Sequence, residues 1–373
     1  MNLSYTHLRS RGAHGSANSS TNQVAAVVAV LVLVGIAAGG AYHFRSSHKH
    51  AHPGSSSTST FRIGYQKSGI LNLQRVRGDL DKKLAATGVK VEWINFPAGP
   101  QIMEAIAVNG IDIGWTGDTP AVFAIASGND IAYLANSSPD NAGLSRAVIV
   151  LPNSPIQRIA DLKGKRVAVQ KGSGAHNLLV QALGQAGVDY KEIHPVYLAP
   201  ADARAAFESG AADAWAIWDP YLAIEQKKTG ARTVANGKEI VTAGGFYLSK
   251  KQFARAHPDW IKTVLEQVEA TSHWAAANPR ESAAILAKQA SIDPDALETT
   301  VRRLHAPGRS VVEAGPLTPD VIQAQQKVAD EFLRIGLVPA RVDVSKGLLT
   351  AQEYAAFQIS ASPQAAAGQV SSR

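Results

Sequence analysis

From Phe61 onward, short strand-like runs alternate with longer helix-like runs, and after Pro152-Asn153-Ser154-Pro155 the alternation begins again. A strand, a crossing helix and a second strand close as a right-handed parallel unit, so this rhythm commits the chain to largely parallel sheets covered by helices. In the first series Phe61 to Tyr65 reads as a strand, Leu73, Val76, Leu80 and Leu84 recur at helical spacing, and Val89, Val91 and Trp93 alternate. Pro100 opens a helix, Ile111 to Trp115 is a strand, Pro120 opens a helix, and Ile131 to Ala135 and Ala147 to Leu151 add strands. In the second series Arg166 to Gln170, Ile193 to Leu198 and Asp213 to Ile217 are strands, with helices over His176 to Ala186 and Pro200 to Ser209 and another opened by Pro220. Residues 244 to 249 read as a return strand, and from Gln252 the chain is mostly helical, with Pro258, Pro279 and Pro294 at helix starts. The fold class is therefore α/β with two lobes. The expected division is 61–150 plus 244–345 as lobe 1 with a helical C-terminal part, 151–243 as lobe 2, and 346–373 as a C-terminal helix and disordered tail.

Ahead of this body lies a polar leader, 1–23, and then an uncharged, almost wholly apolar run, 24–42. That run is either a cleaved secretory signal or an uncut signal anchor, and both readings place the body in the periplasm or otherwise outside the cytoplasm. Residues 45–60 form a low-complexity linker in which His48, His50 and His52 read as solvated residues, not as a metal site. The chain has no Cys, which excludes a disulfide scaffold, a Cys-ligated zinc, a Cys nucleophile and a lipoprotein anchor on an N-terminal Cys. Its formal charge of +7 is spread among acidic residues with no basic stripe, so nucleic acid is not an expected partner.

In open parallel sheets, ligands sit beyond the carboxyl ends of the strands. Four loops with unusual local chemistry fall there: Gln66 to Gly69, Thr116 to Pro120, Lys171 to His176, and Trp218 to Tyr221. The small-residue stretch Gly172-Ser173-Gly174-Ala175 before a helix start leaves N–H groups aimed along the helix axis, an arrangement suited to an anion. The candidate ligand-binding residues are Gln66, Ser68, Thr116, Gly117, Asp118, Thr119, Ser173, Gly174, Ala175, His176, Trp218 and Asp219. Hydroxyls of Ser68, Thr116, Thr119 and Ser173, with neighbouring N–H groups, would donate to a tetrahedral oxyanion, each bond contributing roughly 1.5 to 3 kcal/mol. Trp218 and Tyr221 would wall an apolar tail. Asp118 is an awkward neighbour for an anion, and its carboxylate is expected to turn away onto backbone or hydroxyl donors, or to bind an amino group of the ligand.

The body resembles the periplasmic substrate-binding proteins of ABC transporters for aliphatic sulfonates, within the nitrate, sulfonate and taurine group. The segments that carry the resemblance are Phe61 to Gly69, Phe96 to Gln101, Thr116 to Pro120, Asp161 to Arg166, Gln170 to Leu179, Pro200 to Phe207 and Asp213 to Tyr221. It covers about residues 60 to 345 and implies a type II periplasmic-binding-protein fold, two α/β lobes with a ligand cleft between them, joined by two crossing strands. It also implies a monomer that delivers an alkanesulfonate to a membrane permease. The chain has no phosphate-binding loop motif, so the ATPase is a separate subunit. No cofactor and no catalysis are implied. Three departures stand out: Gly174 where relatives often carry Ser, Thr119 where they often carry Ala, and Ala243 to Tyr247 without the usual Asn-rich segment. Alternatives are a related solute (taurine, nitrate or a pyrimidine precursor) or an enzyme of the pyrimidine-precursor synthase type, for which His176 and Asp118 are the available acid and base.

Overall fold

The computed structural model describes residues 59–67, 69–138, 143–238, 240–241, 243–290, 292–305 and 314–357. The leader, the run 24–42, the linker up to Thr58, the candidate Ser68 and the expected tail after Phe357 lie outside the described residues. The strands are β1 (Ser59–Tyr65), β2 (Val89–Asn95), β3 (Ile113–Thr116), β4 (Ile131–Ser137), β5 (Arg146–Val150), β6 (Arg166–Val169), β7 (His194–Tyr197), β8 (Ala214–Trp218), β9 (Arg232–Asn236) and β10 (Gly245–Lys250). They form two five-stranded sheets of orders β2-β1-β3-β10-β4 and β7-β6-β8-β5-β9. In each sheet a parallel trio is followed by one antiparallel strand, β10 or β5, that enters from the other lobe.

This corrects the expected division. Ala147 to Leu151 was assigned to lobe 1, but β5 pairs with β8 and β9 in the second sheet, so the lobes part between Ser137 and Arg146. The strand β9 was not expected; Arg-Thr-Val-Ala-Asn is a short, half-exposed edge whose strand character comes from pairing with β5.

The helices are α1 (Ile70–Arg77), α2 (Asp79–Ala85), α3 (Gly99–Ala107), α4 (Asp118–Ala126), α5 (Gly174–Gln185), α6 (Pro200–Glu208), α7 (Tyr221–Thr229), α8 (Lys251–Ala256), α9 (Pro258–Ala277), α10 (Pro279–Ala290), α11 (Pro294–Leu304), α12 (Pro319–Arg334) and α13 (Ala351–Phe357). The run Leu73 to Leu84 is broken where Gly78 takes the left-handed conformation (φ 71°) and donates to the Gln74 carbonyl.

Both faces of each sheet are covered, which explains strands that read as continuous apolar runs. In lobe 2, Val148, Val150, Val167, Val169, Ala214 and Ala216 face α5 and α12. The alternate residues Ala147, Ile149, Ala168, Trp215 and Ile217 face α6 and α7. Helices α9 to α11 pack with lobe 1. In contrast, α12, expected in lobe 1, buries Val328, Ala329 and Phe332 in the lobe 2 core, and Val122 of α4 joins the same cluster.

Each sheet is pinned at the ends of its strands away from the loops of interest. Arg62 in β1 grips Asp112 just before β3 through Nε (3.1 Å) and Nη2 (2.5 Å), and Arg166 in β6 grips Asp213 just before β8 through Nε (3.1 Å) and Nη2 (2.8 Å).

Candidate functional site: a cleft floored by a buried ion pair

The carboxyl ends of β1, β3, β6 and β8 open onto one cavity. Its lining includes Gln66, Gly69, Gly99, Trp115, Gly117, Pro120, Ser137, Ser145, Arg146, Ser173, Gly174, Ala175, Trp218, Asp219, Thr300 and Leu304. Four helix starts converge there: Gly69 precedes α1, Gly99 begins α3, Gly117 precedes α4, and Ser173 precedes α5. Their first-turn N–H groups have no intrahelical acceptor, and their dipoles make the cavity electropositive without a net charge.

On the floor lies Arg146, the first residue of β5, whose side chain is only 5 % exposed. Its Nη1 donates to Asp118 Oδ2 at 2.8 Å, linking lobe 2 to the first residue of α4 in lobe 1. Asn177 Nδ2 of lobe 2 reaches the same oxygen at 3.2 Å, and Thr119 Oγ1 donates to Asp118 Oδ1 at 2.7 Å. The guanidinium fits because two glycines flank it: a Cβ on Gly174 would stand 2.7 Å from its Cζ, and one on Gly117 would stand 3.1 Å from Nη2.

A second, apolar pocket shares Gln66, Gly69, Trp115 and Leu304 with this cavity and adds Tyr65, Ile70, Leu71 and Tyr247. Trp115 is held by Nε1 donating to Ser137 Oγ (3.0 Å), an oxygen that also accepts from the Gly245 N–H (3.0 Å). Gly245 has to lack a side chain, since its Cβ would fall 2.2 Å from the Trp115 ring.

Residues 84–282 match the family described as NMT1/THI5 like. The putative aliphatic sulfonates-binding protein of Escherichia coli K12 is 39 % identical over 290 residues, 78 % of this chain and 88 % of that protein. The chain belongs to the NMT1/THI5-like family, among the aliphatic sulfonate-binding proteins. A protein of the same name from Bacillus subtilis 168 is 30 % identical over 321 residues, 85 % of this chain and 91 % of that protein. The fold matches the alkanesulfonate-binding protein SsuA of Xanthomonas axonopodis pv. citri bound to MOPS, with TM-score 0.74, 37 % identity, and coverage of 79 % of this chain and 99 % of that one. The two-lobed periplasmic-binding-protein fold is thus that of its family.

In this member of the NMT1/THI5-like family, the sequence-predicted residues divide into two groups. Gln66, Gly117, Ser173, Gly174, Ala175, Trp218 and Asp219 line the cavity. The side chains of Thr116, Asp118, Thr119 and His176 are fully buried behind it. The expected donation from the Thr116 and Thr119 hydroxyls is corrected accordingly: Thr116 Oγ1 donates to the Gly117 carbonyl (2.9 Å) and Thr119 Oγ1 to Asp118. Buried hydroxyls take the nearest acceptor, and these have one within the loop. Ser173 lines the cavity while its Oγ accepts the His176 N–H (3.2 Å), leaving its proton to donate. Tyr221, expected beside the ligand, packs on Trp215 and Trp218 instead. Asp118 does turn onto hydroxyl, amide and guanidinium donors.

His176 is a strut. Its Nδ1 accepts the Gly172 N–H (3.1 Å), which leaves Nε2 to carry the proton and donate to Tyr190 Oη (2.7 Å). Burial, with a smaller contribution from Lys171, pulls its pKa down to about 3, so the ring is neutral. Asp219 is buried too, and desolvation raises its pKa to about 6 against the opposing pull of Arg303. Arg303 Nη1 of α11 contacts Asp219 Oδ1 at 3.0 Å, a second ion pair between the lobes, and Lys227 of α7 adds contacts to Asp293 (2.7 Å) and Asp295 (2.6 Å).

Sequence reasoning missed Arg146, Trp115 and Arg303. The signal available for Arg146 was a cation immediately before the wholly apolar run Ala147 to Val150.

Proposed function

We propose that this protein is the extracytoplasmic solute-binding component of an ABC importer, and that it captures an aliphatic sulfonate between its lobes and presents it to a membrane permease served by a separate ATPase. The carrying observation is Arg146, buried on the floor of a cavity onto which four helix starts open. The sulfonate sits over its guanidinium and accepts from Ser173 and from the N–H groups of the α5 start. A sulfonate is ionised at every physiological pH, so fixed donors hold it with no titrating partner. The alkyl tail runs toward Trp115, Ile70, Leu71 and Leu304, with Trp218 as the opposite wall. The apolar run 24–42 acts as the export signal, cleaved or retained; among the described residues no helix is long and apolar enough to cross a membrane. The names of the relatives, including the periplasmic aliphatic sulphonate binding protein SsuA of Escherichia coli, support this reading.

The site carries out no chemistry on its ligand. Calorimetric titration with linear alkanesulfonates tests the assignment: one-to-one binding is expected, the ligand is recovered unchanged, and Arg146→Met abolishes the heat. Silence with every chain length, alongside binding of nitrate or a pyrimidine, sinks it.

A further inference from the structure

We propose that the pairing of Asp118 with Arg146 makes the cleft selective for singly charged tetrahedral head groups, so that it admits sulfonates and singly ionised phosphonates and rejects doubly charged phosphonates. This rests on the sulfonate reading above and adds to it the discriminating residue, Asp118, which acts through Arg146.

Among the described residues, the ionisable side chains on the cavity wall are Arg146 and Asp219. Each is met from behind by its opposite, Arg146 by Asp118 at 2.8 Å and Asp219 by Arg303 at 3.0 Å. Among the described residues, these two pairs leave no net fixed charge around the head group. What remains beside the guanidinium is the partial positive charge of the α5 start, equivalent to roughly half a unit before screening, while the α4 start already carries the Asp118 carboxylate in its first turn. That field, with the guanidinium's other N–H groups, stabilises a single negative charge. Among the described residues, a second charge would have no cation of its own, and it would stand close to the buried carboxylate of Asp118, whose oxygens are committed to Arg146, Asn177 and Thr119 and are shut off from water. Arg75 of α1 lies 4.8 Å over the Tyr65 ring, and burial holds the pKa of His305, next to Leu304, down to about 4. His176 is neutral, and the Lys171 ammonium lies 5.4 Å over the Tyr197 ring.

An alkylphosphonate is the matched probe, because it has the shape of the sulfonate and loses its second proton near neutrality, as phosphoryl groups do. The Kd of an alkanesulfonate and of the alkylphosphonate of equal chain length are measured on the whole protein at about pH 6 and about pH 9. The sulfonate, singly charged throughout, corrects for the effect of protein titration on a single charge, and repeating both titrations in Asp219→Asn removes the contribution of Asp219 itself, whose pKa is raised to about 6. The ratio of phosphonate to sulfonate Kd is expected to rise at least tenfold between the two pH values, as the singly charged phosphonate is depleted. A ratio that does not change overturns the proposal while leaving the sulfonate reading intact. No sulfonate binding at either pH overturns both. In Asp118→Asn the site gains one net positive charge, and the rise in the ratio should shrink several-fold; an unaltered rise in a folded variant would take the discrimination away from Asp118. If that variant does not fold, Asp118→Ser is measured in its place, and the same two outcomes decide.

Discussion

The guanidinium of Arg146 occupies the space that a side chain on residue 174 would need: a Cβ there would come 2.7 Å from both Cζ and Nη1. The departure noted at Gly174, a glycine where relatives often carry serine, is thus tied to the cation on the cleft floor. Gly174→Ser should push the guanidinium off Asp118, destabilise the fold by about 1–3 kcal/mol as other over-packed sites do, and weaken sulfonate binding. Thermal unfolding and calorimetry on the same variant check both; unchanged values would mean that Arg146 has another place to go.

Arg146→Met strips the partner from a carboxylate that is fully buried. Removing one member of such a pair costs about 3–5 kcal/mol, because the other is left as an uncompensated charge. The double variant Arg146→Met with Asp118→Asn should recover most of that loss in denaturant unfolding, although it will not bind ligand. A double variant no more stable than Arg146→Met would show that the pair is not what holds the two lobes' edges together here.

His176 gives stability an acid limb. Its folded pKa, lowered to about 3 by burial, lies below the unfolded value of about 6.5. Between those values the unfolded chain binds a proton that the folded chain refuses, so the stability present above the unfolded pKa is lost as pH falls. The gap between wild type and His176→Gln should therefore close by about 1.4 kcal/mol per pH unit of descent through that window. Chemical unfolding at stepped pH reads this gap directly, and a constant gap would mean that the ring is reached by water.

Asp219 acts in the opposite direction. Its folded pKa, raised to about 6 by desolvation, lies above the unfolded value of about 3.9. Between them the folded state holds the extra proton, so the contribution present below the unfolded pKa is lost as pH rises through the folded one. Asp219→Asn should gain on the wild type across that interval by about 1.4 kcal/mol per pH unit. The Asn oxygen still accepts the Ala223 N–H that Asp219 Oδ1 now takes at 3.0 Å, so the start of α7 keeps its cap. A gain of the other sign would mean that the Arg303 pair outweighs burial.

Local periodicity was enough to read most of the strands, the Pro-led helix starts and the loops that meet at the cleft. What it did not reveal is decided at long range. The assignment of β5 to the second sheet depends on pairing with strands more than 60 residues away in sequence, Arg146 with Trp218 for instance. The burial of Arg146 likewise depends on Asp118, 28 residues earlier and in the other lobe. A lone Arg at a strand start has no local mark of a buried partner. The Thr116 and Thr119 hydroxyls were misread for the opposite reason: a correct loop says nothing about which acceptor a rotating hydroxyl finds first. Gly78 split one expected helix in two because a left-handed glycine is compatible with apolar spacing on both sides of it.

The matching pins, Arg62 on Asp112 and Arg166 on Asp213, fall at the same register in both sheets, one residue before the β1–β3 and β6–β8 pairings begin. Gln66-Lys67 after β1 is answered by Gln170-Lys171 after β6, and Asp118 with Pro120 after β3 by Asp219-Pro220 after β8. The cavity is therefore lined by two renderings of one backbone design. The helix starts are common to both renderings, whereas Arg146 and Trp115 each belong to one of them, so the two ends of the cavity differ in side chains and not in backbone.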